Sequence, residues 1–188
     1  KAFGLRQFKR LLMEQKTGSG STYYMDPYRE DVYFSSVDAY EQDYLQHHDA
    51  IRRALESCEV FILTPGLNEC WEFTDGTVMA RNPRRATYPF AKPRTLTVAE
   101  NVSHLQQFFD IVKQHNPAFK LILSLSPVPF LATSRAHDHH VIEANCHSKA
   151  VLRVAIDEVV QNNQDIYYLP SYEYVSYCSD KPWMEDDR

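Results

Sequence analysis

The sequence lacks long hydrophobic runs and clusters of positive charge. Its longest apolar stretches, around residues 60–63 and 121–123, are far shorter than the roughly 20 residues needed to cross a lipid bilayer. It contains 20 Lys and Arg against 25 Asp and Glu, and no basic run offers a surface for nucleic-acid phosphates. We therefore expect no membrane span and no nucleic-acid partner.

Cysteine is also scarce, and its spacing excludes a common type of metal or redox site. The four cysteines, at positions 58, 70, 146 and 178, form no C-x-x-C pair, and a chain of 188 residues with 44% hydrophobic residues can fold without disulfides. No secretory signal is recognisable, and the first residue is Lys rather than Met. We expect reduced thiols, a cytoplasmic location and one domain over residues 1–188, truncated at both ends.

The apolar residues alternate between helical and strand-like patterns along the chain. Helical spacing predicts helices over residues 5–12, 37–57, 98–115 and 142–160, and apolar runs predict buried strands at 58–64, 119–126 and 165–169. Strands that alternate with helices are typical of an α/β fold with a parallel sheet covered by helices on both faces. Ligands bind beyond the carboxyl ends of such strands, so functional residues should follow positions 64, 126 and 169.

Two shorter features refine this pattern. Asp75-Gly76 is a strong two-residue turn, which predicts a hairpin over residues 72–79, and the prolines after it predict an irregular stretch that includes Pro93. Thr97-Val98-Ala99-Glu100 matches a capping box at the start of a helix. Residues 22–36 predict no element beyond a short extended run at 31–34.

Four ordered blocks carry a resemblance to a known family. They are Thr-Pro-Gly-Leu-Asn-Glu-Cys-Trp at 64–71, Leu-Ser-Pro-Val-Pro at 125–129, Ala-Asn-Cys-His-Ser-Lys-Ala at 144–150 and Leu-Pro-Ser-Tyr-Glu at 169–173. In these blocks the chain resembles the GSCFA family, a branch of the SGNH (GDSL-like) hydrolases. The resemblance implies a three-layer flavodoxin-like fold of the SGNH type and an esterase or acyltransferase that needs no cofactor. Its substrate would be a small molecule or an acylated compound.

The first block follows the first buried strand and contains a candidate oxyanion-binding segment. A glycine permits a tight turn there, and the Asn68 amide could stabilise an oxyanion, although glycine and asparagine are also ordinary turn residues. The resemblance implies that Asn68 is the oxyanion-hole asparagine and that Gly66 is the glycine of the same block.

The resemblance also implies a serine nucleophile and a late Asp-x-x-His, which the chain does not contain in full. It has no Gly-Ser-Cys-Phe-Ala segment, and none of its eight histidines follows position 147. The resemblance makes Asp186 the acid that orients a histidine beyond the last residue. We expect residues 1–188 alone to be inactive. The alternative is a non-catalytic binding domain that keeps the sheet and the cleft.

Three further side chains are candidates for substrate binding. Glu69 and Trp71 follow Asn68 and could flank the pocket, although Trp71 would equally suit the core. Lys149 could contact substrate, or it could hydrogen-bond from its helix to a loop. A Ser148-Lys149 dyad is not expected, because adjacent helical residues point about 100° apart.

Two other features were considered, a histidine-rich segment as a metal site and Glu173 as an ion-pair partner. His137-Asp138-His139-His140 does not have the spacing of a common zinc site, so we expect a solvated loop rather than a metal centre. Glu173 follows the third predicted strand and could pair with Lys149 or Arg153. The oligomeric state is not predicted.

Overall fold

The computed structural model describes residues 3, 12–16, 18, 20–26, 29, 32–74, 76, 78–79 and 91–180. The predicted helix at residues 5–12 lies almost entirely outside these residues. Contacts between Cα atoms divide the chain into one compact unit of Lys1–Ser57 with Cys70–Arg94 and a second of Cys58–Glu69 with Thr95–Arg188. The single domain over residues 1–188 stays a prediction.

Nine strands and four α-helices make up the described secondary structure. In chain order they are β1 (Met13–Lys16), β2 (Thr22–Met25), β3 (Tyr33–Phe34), α1 (Val37–Ser57), β4 (Val60–Leu63), β5 (Glu69–Phe73), β6 (Val78–Met79), β7 (Ala91–Thr95), α2 (Val98–His115), β8 (Lys120–Ser124), α3 (Val141–Gln161), β9 (Ile166–Leu169) and α4 (Ser171–Glu173), which continues into a π-helical turn at Tyr174–Cys178. None of the described helices combines the length and the apolar composition that crossing a bilayer requires.

The first unit contains an antiparallel sheet in the order β1-β2-β3, followed by α1. Helix α1 buries Tyr40, whose ring packs edge-on against Phe34 of β3 at a centroid distance of 5.4 Å. The predicted helix at 37–57 is confirmed. Of the extended run predicted at 31–34, Tyr33–Phe34 form β3, and residue 31 lies outside the described residues. Strands β1 and β2 were not predicted, because neither the polar sequence of β1 nor the Tyr-rich sequence of β2 alternates clearly.

The first unit also holds most of a sheet in the order β6-β5-β7. Trp71 pairs with Met79 and Glu72 pairs with Val78 in antiparallel register, so the hairpin predicted at 72–79 is confirmed. This register does not fit the two-residue turn predicted at 75–76. Gly76 has a φ of +77°, a conformation that glycine adopts without steric cost. The prediction of an irregular stretch was wrong at Pro93, which lies in β7. That strand is at the edge of the sheet, where proline is tolerated. The rest of the predicted irregular stretch, residues 80–90, lies outside the described residues.

The second unit is built on a parallel sheet in the order β4-β8-β9. Phe61 pairs with Leu121, and Leu121 pairs with Ile166, so these side chains share one face. Helices α2 and α3 contact each other, and α3 contacts β9. Leu121 and Leu123 are fully buried. The predicted α/β class with a parallel sheet is therefore confirmed.

The opposite face of β4 differs from the expectation of a strand buried on both sides. Val60 is 48% exposed and Ile62 is 58% exposed, and Tyr167 on the same face of β9 is 47% exposed. A continuous apolar run therefore overstated the burial of β4, because such a run does not reveal which residues a neighbouring layer covers. The three-layer flavodoxin-like arrangement stays a prediction.

Helix α2 begins with the predicted capping box. The Glu100 backbone N–H donates to the Thr97 hydroxyl at 3.2 Å, and the Thr97 backbone N–H donates to the Glu100 carboxylate at 2.9 Å. Two backbone donors that the helix itself cannot satisfy thus find partners.

We predict that Thr97→Ala lowers the free energy of unfolding by about 1 kcal/mol, because it removes the acceptor for the Glu100 N–H. Urea unfolding measures the change. Ser103→Ala, at an exposed position inside α2, is the control and should leave stability nearly unchanged. Equal losses in both variants would contradict a role for the cap.

Candidate functional site

The loops that follow β4, β8 and β9 meet at one edge of the parallel sheet. The Ser126 backbone N–H, after β8, donates to the Pro65 carbonyl, after β4, at 2.9 Å. The Ser171 hydroxyl, after β9, donates to the Leu125 carbonyl at 3.2 Å. The carboxyl ends of all three strands therefore contribute to one site, as parallel sheets commonly arrange their ligand-binding loops.

Gly66 occupies a place where the loops after β4 and β8 come very close. A Cβ atom at this position would lie 3.2 Å from the Ser126 Cβ and 3.6 Å from the Ser126 Oγ. The described glycines with positive φ are Gly20 and Gly76, so Gly66 needs no left-handed conformation. The sequence suggested a tight turn, whereas close approach to Ser126 is the structural reason for glycine.

The side chain of Lys149, on α3, hydrogen-bonds to both of these loops. Lys149 is 3% exposed, and its Nζ donates to the Gly66 carbonyl at 3.1 Å and to the Val128 carbonyl at 2.9 Å. The Phe130 ring centroid lies 5.9 Å from Nζ. Burial lowers the pKa of Lys149 to about 8, so the side chain is predominantly charged at neutral pH. Two carbonyl dipoles take the place of a counter-ion.

Asn68 is fully buried, at 0% exposure, and is bonded on several sides. Its backbone N–H donates to the Ser148 hydroxyl at 2.9 Å, and its side-chain Nδ2 donates to the Leu96 carbonyl at 3.2 Å. The Leu96 N–H returns a bond to the Asn68 carbonyl at 2.8 Å. One hydrogen of Nδ2 is thus engaged, and Oδ1 has no partner among the described residues.

Three polar residues on one side of α3 organise these loops. Asn145, Ser148 and Lys149 are spaced at i, i+3 and i+4, which places them on one helical face. Asn145 accepts a bond from the Phe130 N–H at 3.2 Å, beside the bonds of Ser148 and Lys149. Sequence reasoning missed Asn145 and the role of Ser148, although a serine among the apolar inner positions of α3 was a usable signal.

Glu69 uses its carboxylate to hold the loop at 133–135. It accepts bonds from the Thr133 hydroxyl at 2.6 Å, from the Ser134 N–H and hydroxyl at 2.9 Å each, and from Arg135 Nε at 3.2 Å. Burial alone would raise the pKa of Glu69, but these bonds outweigh it and hold the pKa below its ordinary value. The geometry accounts for Glu69 as a loop clamp, while its predicted contact with substrate stays a prediction.

The remaining predicted site residues lie elsewhere. Trp71 is in the first unit, where it is buried with Phe73 and Ala91 in an apolar cluster. This packing favours the core interpretation that the sequence left open. Asp186 lies outside the described residues, so its role as the triad acid stays a prediction.

The segment at residues 169–173, which follows β9, is connected to α3 by an ion pair. Glu173 accepts a bond from Arg153 Nε at 3.0 Å and from the Tyr168 hydroxyl at 2.6 Å. Burial would raise the pKa of Glu173, but these partners hold it below its ordinary value. Of the two cations proposed for Glu173 from the sequence, the structure pairs it with Arg153.

The histidine-rich segment before α3 has local partners. His139 lies 3.1 Å from Glu143, His137 lies 2.8 Å from Asp138, and His140 Nδ1 accepts the Ile142 N–H at 3.3 Å as the N-cap of α3. Within the described ranges, no three His, Cys, Asp or Glu side chains converge as metal ligands would. The capping role of His140 was not predicted.

A cleft of about 370 Å³ lies at the opposite, amino ends of β4 and β8. Its lining includes Glu59, Lys120 and Lys113, and Lys113 Nζ lies 2.8 Å from Asp165 Oδ2. Because ligands of parallel sheets commonly bind at the carboxyl ends of strands, the Gly66 loop rather than this cleft is the candidate site.

Comparison with known proteins gives one family. The sequence model of the GSCFA family matches residues 6–188. No curated protein and no solved structure matches the chain.

We predict that Gly66→Ala lowers the free energy of unfolding by about 1 to 2 kcal/mol, because the new methyl group presses on Ser126. Urea unfolding measures the loss. Adding Ser126→Gly should restore much of it, since the close contact disappears. A double variant no more stable than Gly66→Ala would show that crowding is not the cause.

We also predict a pH-dependent stability difference between the wild-type protein and Lys149→Met. The folded-state pKa of about 8 lies below the ordinary value of 10.5, so the unfolded chain binds more protons between these values. The cost of burying the charge is fully present below pH 8 and is relieved as pH rises toward 10.5. From about pH 7 to about pH 10, the wild type should gain about 1 to 3 kcal/mol relative to the variant. Urea unfolding at both values measures this, and a constant difference would contradict burial of the charge.

Proposed function

Because the chain belongs to the GSCFA family, we propose that its complete gene product is an SGNH-type hydrolase of ester bonds, acting as an esterase or an acyltransferase. The observation that carries the proposal is the fixed geometry of residues 66–68 at the carboxyl end of β4. Lys149 binds the Gly66 carbonyl, and Ser148 binds the Asn68 N–H. Two consecutive residues of α3 thus hold two consecutive peptide groups.

Fixed peptide groups are what oxyanion stabilisation requires. When an ester carbonyl is attacked, negative charge develops on its oxygen, and donors that are already oriented stabilise this charge without reorganisation. The second hydrogen of Asn68 Nδ2 is the proposed side-chain donor. Because Leu96 holds the first hydrogen, the amide plane is fixed before substrate arrives.

The proposed reaction is acyl transfer through a serine. The serine hydroxyl attacks the ester carbonyl carbon while a histidine takes its proton, and the histidine then protonates the departing alkoxide. Water or an acceptor alcohol attacks the resulting acyl-enzyme in the same manner. Asp186 is proposed to orient the histidine. Residues 1–188 contain no Gly-Ser-Cys-Phe-Ala segment, so the proposal applies to the complete gene product.

The test combines active-site labelling with turnover. The complete gene product should react with a fluorophosphonate probe and hydrolyse p-nitrophenyl acetate. Asn68→Ala should lower kcat about a hundredfold or more, because one oxyanion donor is lost. Normal kcat in a folded Asn68→Ala variant would remove Asn68 from the mechanism.

Asn101→Ala is the matched control for Asn68→Ala. Asn101 is also buried, and its Nδ2 also donates to a backbone carbonyl, that of Thr97 at 2.7 Å. This variant should lose stability but keep kcat. A folded wild-type protein that neither reacts with the probe nor hydrolyses the ester would instead support the non-catalytic binding domain.

A further inference from the structure

We propose that the Leu67 backbone N–H is a further oxyanion donor and that Lys149 is the residue that positions it through the Gly66 carbonyl. This inference rests on the proposed ester hydrolysis. It adds a donor and a positioning residue to the amide of Asn68.

The direction of the Leu67 N–H follows from the bond that Lys149 makes. The described backbone contains no cis peptide bond, so the Gly66 carbonyl and the Leu67 N–H point in opposite directions across one planar peptide group. Lys149 Nζ holds the carbonyl at 3.1 Å. The Leu67 N–H therefore points away from Lys149 and α3.

This N–H is available to a ligand. It has no hydrogen-bond partner within the part of the chain that the structure describes, and Leu67 is 51% exposed. An unsatisfied backbone donor at the end of a strand is satisfied by water or by a bound acceptor. The next peptide group is different, because its Asn68 N–H already donates to Ser148.

Lys149 strengthens this donor as well as aiming it. A cation at a peptide carbonyl polarises the peptide group and makes its N–H a better donor. Burial of the ammonium keeps water from screening the effect. Its Nζ donates to the Gly66 and Val128 carbonyls, so we assign it a positioning role. The carboxylates of Glu173 and Glu69 form ion pairs with other cations, Arg153 and Arg135 respectively.

The experiment removes the N–H and the ammonium separately and together in the complete gene product. Replacing Leu67 with its α-hydroxy acid analogue puts an ester oxygen in place of the N–H and also makes the Gly66 carbonyl a weaker acceptor for Lys149. It should lower kcat for p-nitrophenyl acetate about a hundredfold, with little change in KM. Leu67→Pro, which also removes the N–H, is the genetically simpler version. Leu67→Ala keeps the N–H and should keep kcat.

Lys149→Met should lower kcat about tenfold or more with little change in KM, because the peptide is no longer aimed or polarised. In the background that lacks the Leu67 N–H, Lys149→Met should cause almost no further loss, since the two groups act as one unit. Lys120→Met, at an exposed lysine at the amino end of β8, is the control and should retain wild-type kcat. Lys149→Gln, which keeps one donor, replaces Lys149→Met if that variant does not fold.

The outcomes separate the inference from the proposed function. An inactive, folded wild-type protein contradicts the proposed function and this inference with it. An active wild type whose kcat survives loss of the Leu67 N–H contradicts this inference alone. Losses from Lys149→Met that simply add to those from the Leu67 analogue would show that Lys149 acts by another route.

Discussion

The buried ammonium group of Lys149 holds together two of the three loops at the carboxyl edge of the parallel sheet, those after β4 and β8. Transfer of a charged group from water into a protein interior is costly unless hydrogen bonds compensate for it. Here the Gly66 and Val128 carbonyls provide that compensation, one from each loop. The close contact of Gly66 with Ser126 depends on the same arrangement, because both loops must lie against each other for it to exist.

The other polar contacts of the site extend this arrangement outward. Ser148 fixes the Asn68 peptide, Asn145 fixes the loop after β8, and Glu69 fixes the segment at 133–135. Side chains that look reactive in the sequence therefore serve mainly to hold backbone in place. Pre-organised backbone is an effective way to stabilise developing charge, because its dipoles need no rearrangement during the reaction.

Local patterns allowed much of the fold to be predicted from sequence. The capping box at Thr97, the hairpin signal at Asp75-Gly76 and the apolar periodicity of α2 and α3 depend on residues a few positions apart, so a short window contains the information. Pro93 led to a wrong prediction of irregular structure. A strand can contain proline when it lies at the edge of a sheet, as β7 does. That property belongs to the sheet and not to the segment.

The candidate site was predictable in position but not in detail. Its location followed from where strands end, whereas the burial of Lys149 depends on a partner 83 positions away in the chain. The sequence allowed a hydrogen bond from Lys149 to a loop, which the structure confirms, but it did not predict burial, because lysines are usually solvated. For Gly66 the residue was identified correctly, and the physical reason emerged only from its distance to Ser126.

The spacing of Asn145, Ser148 and Lys149 has a consequence for how this protein can change during evolution. Each contacts a different stretch of backbone, and one helical face presents all three. Insertion or deletion of a single residue between positions 145 and 149 would rotate part of this set by about 100° around the helix axis. Sequence length in this block should therefore vary less among relatives than residue identity does.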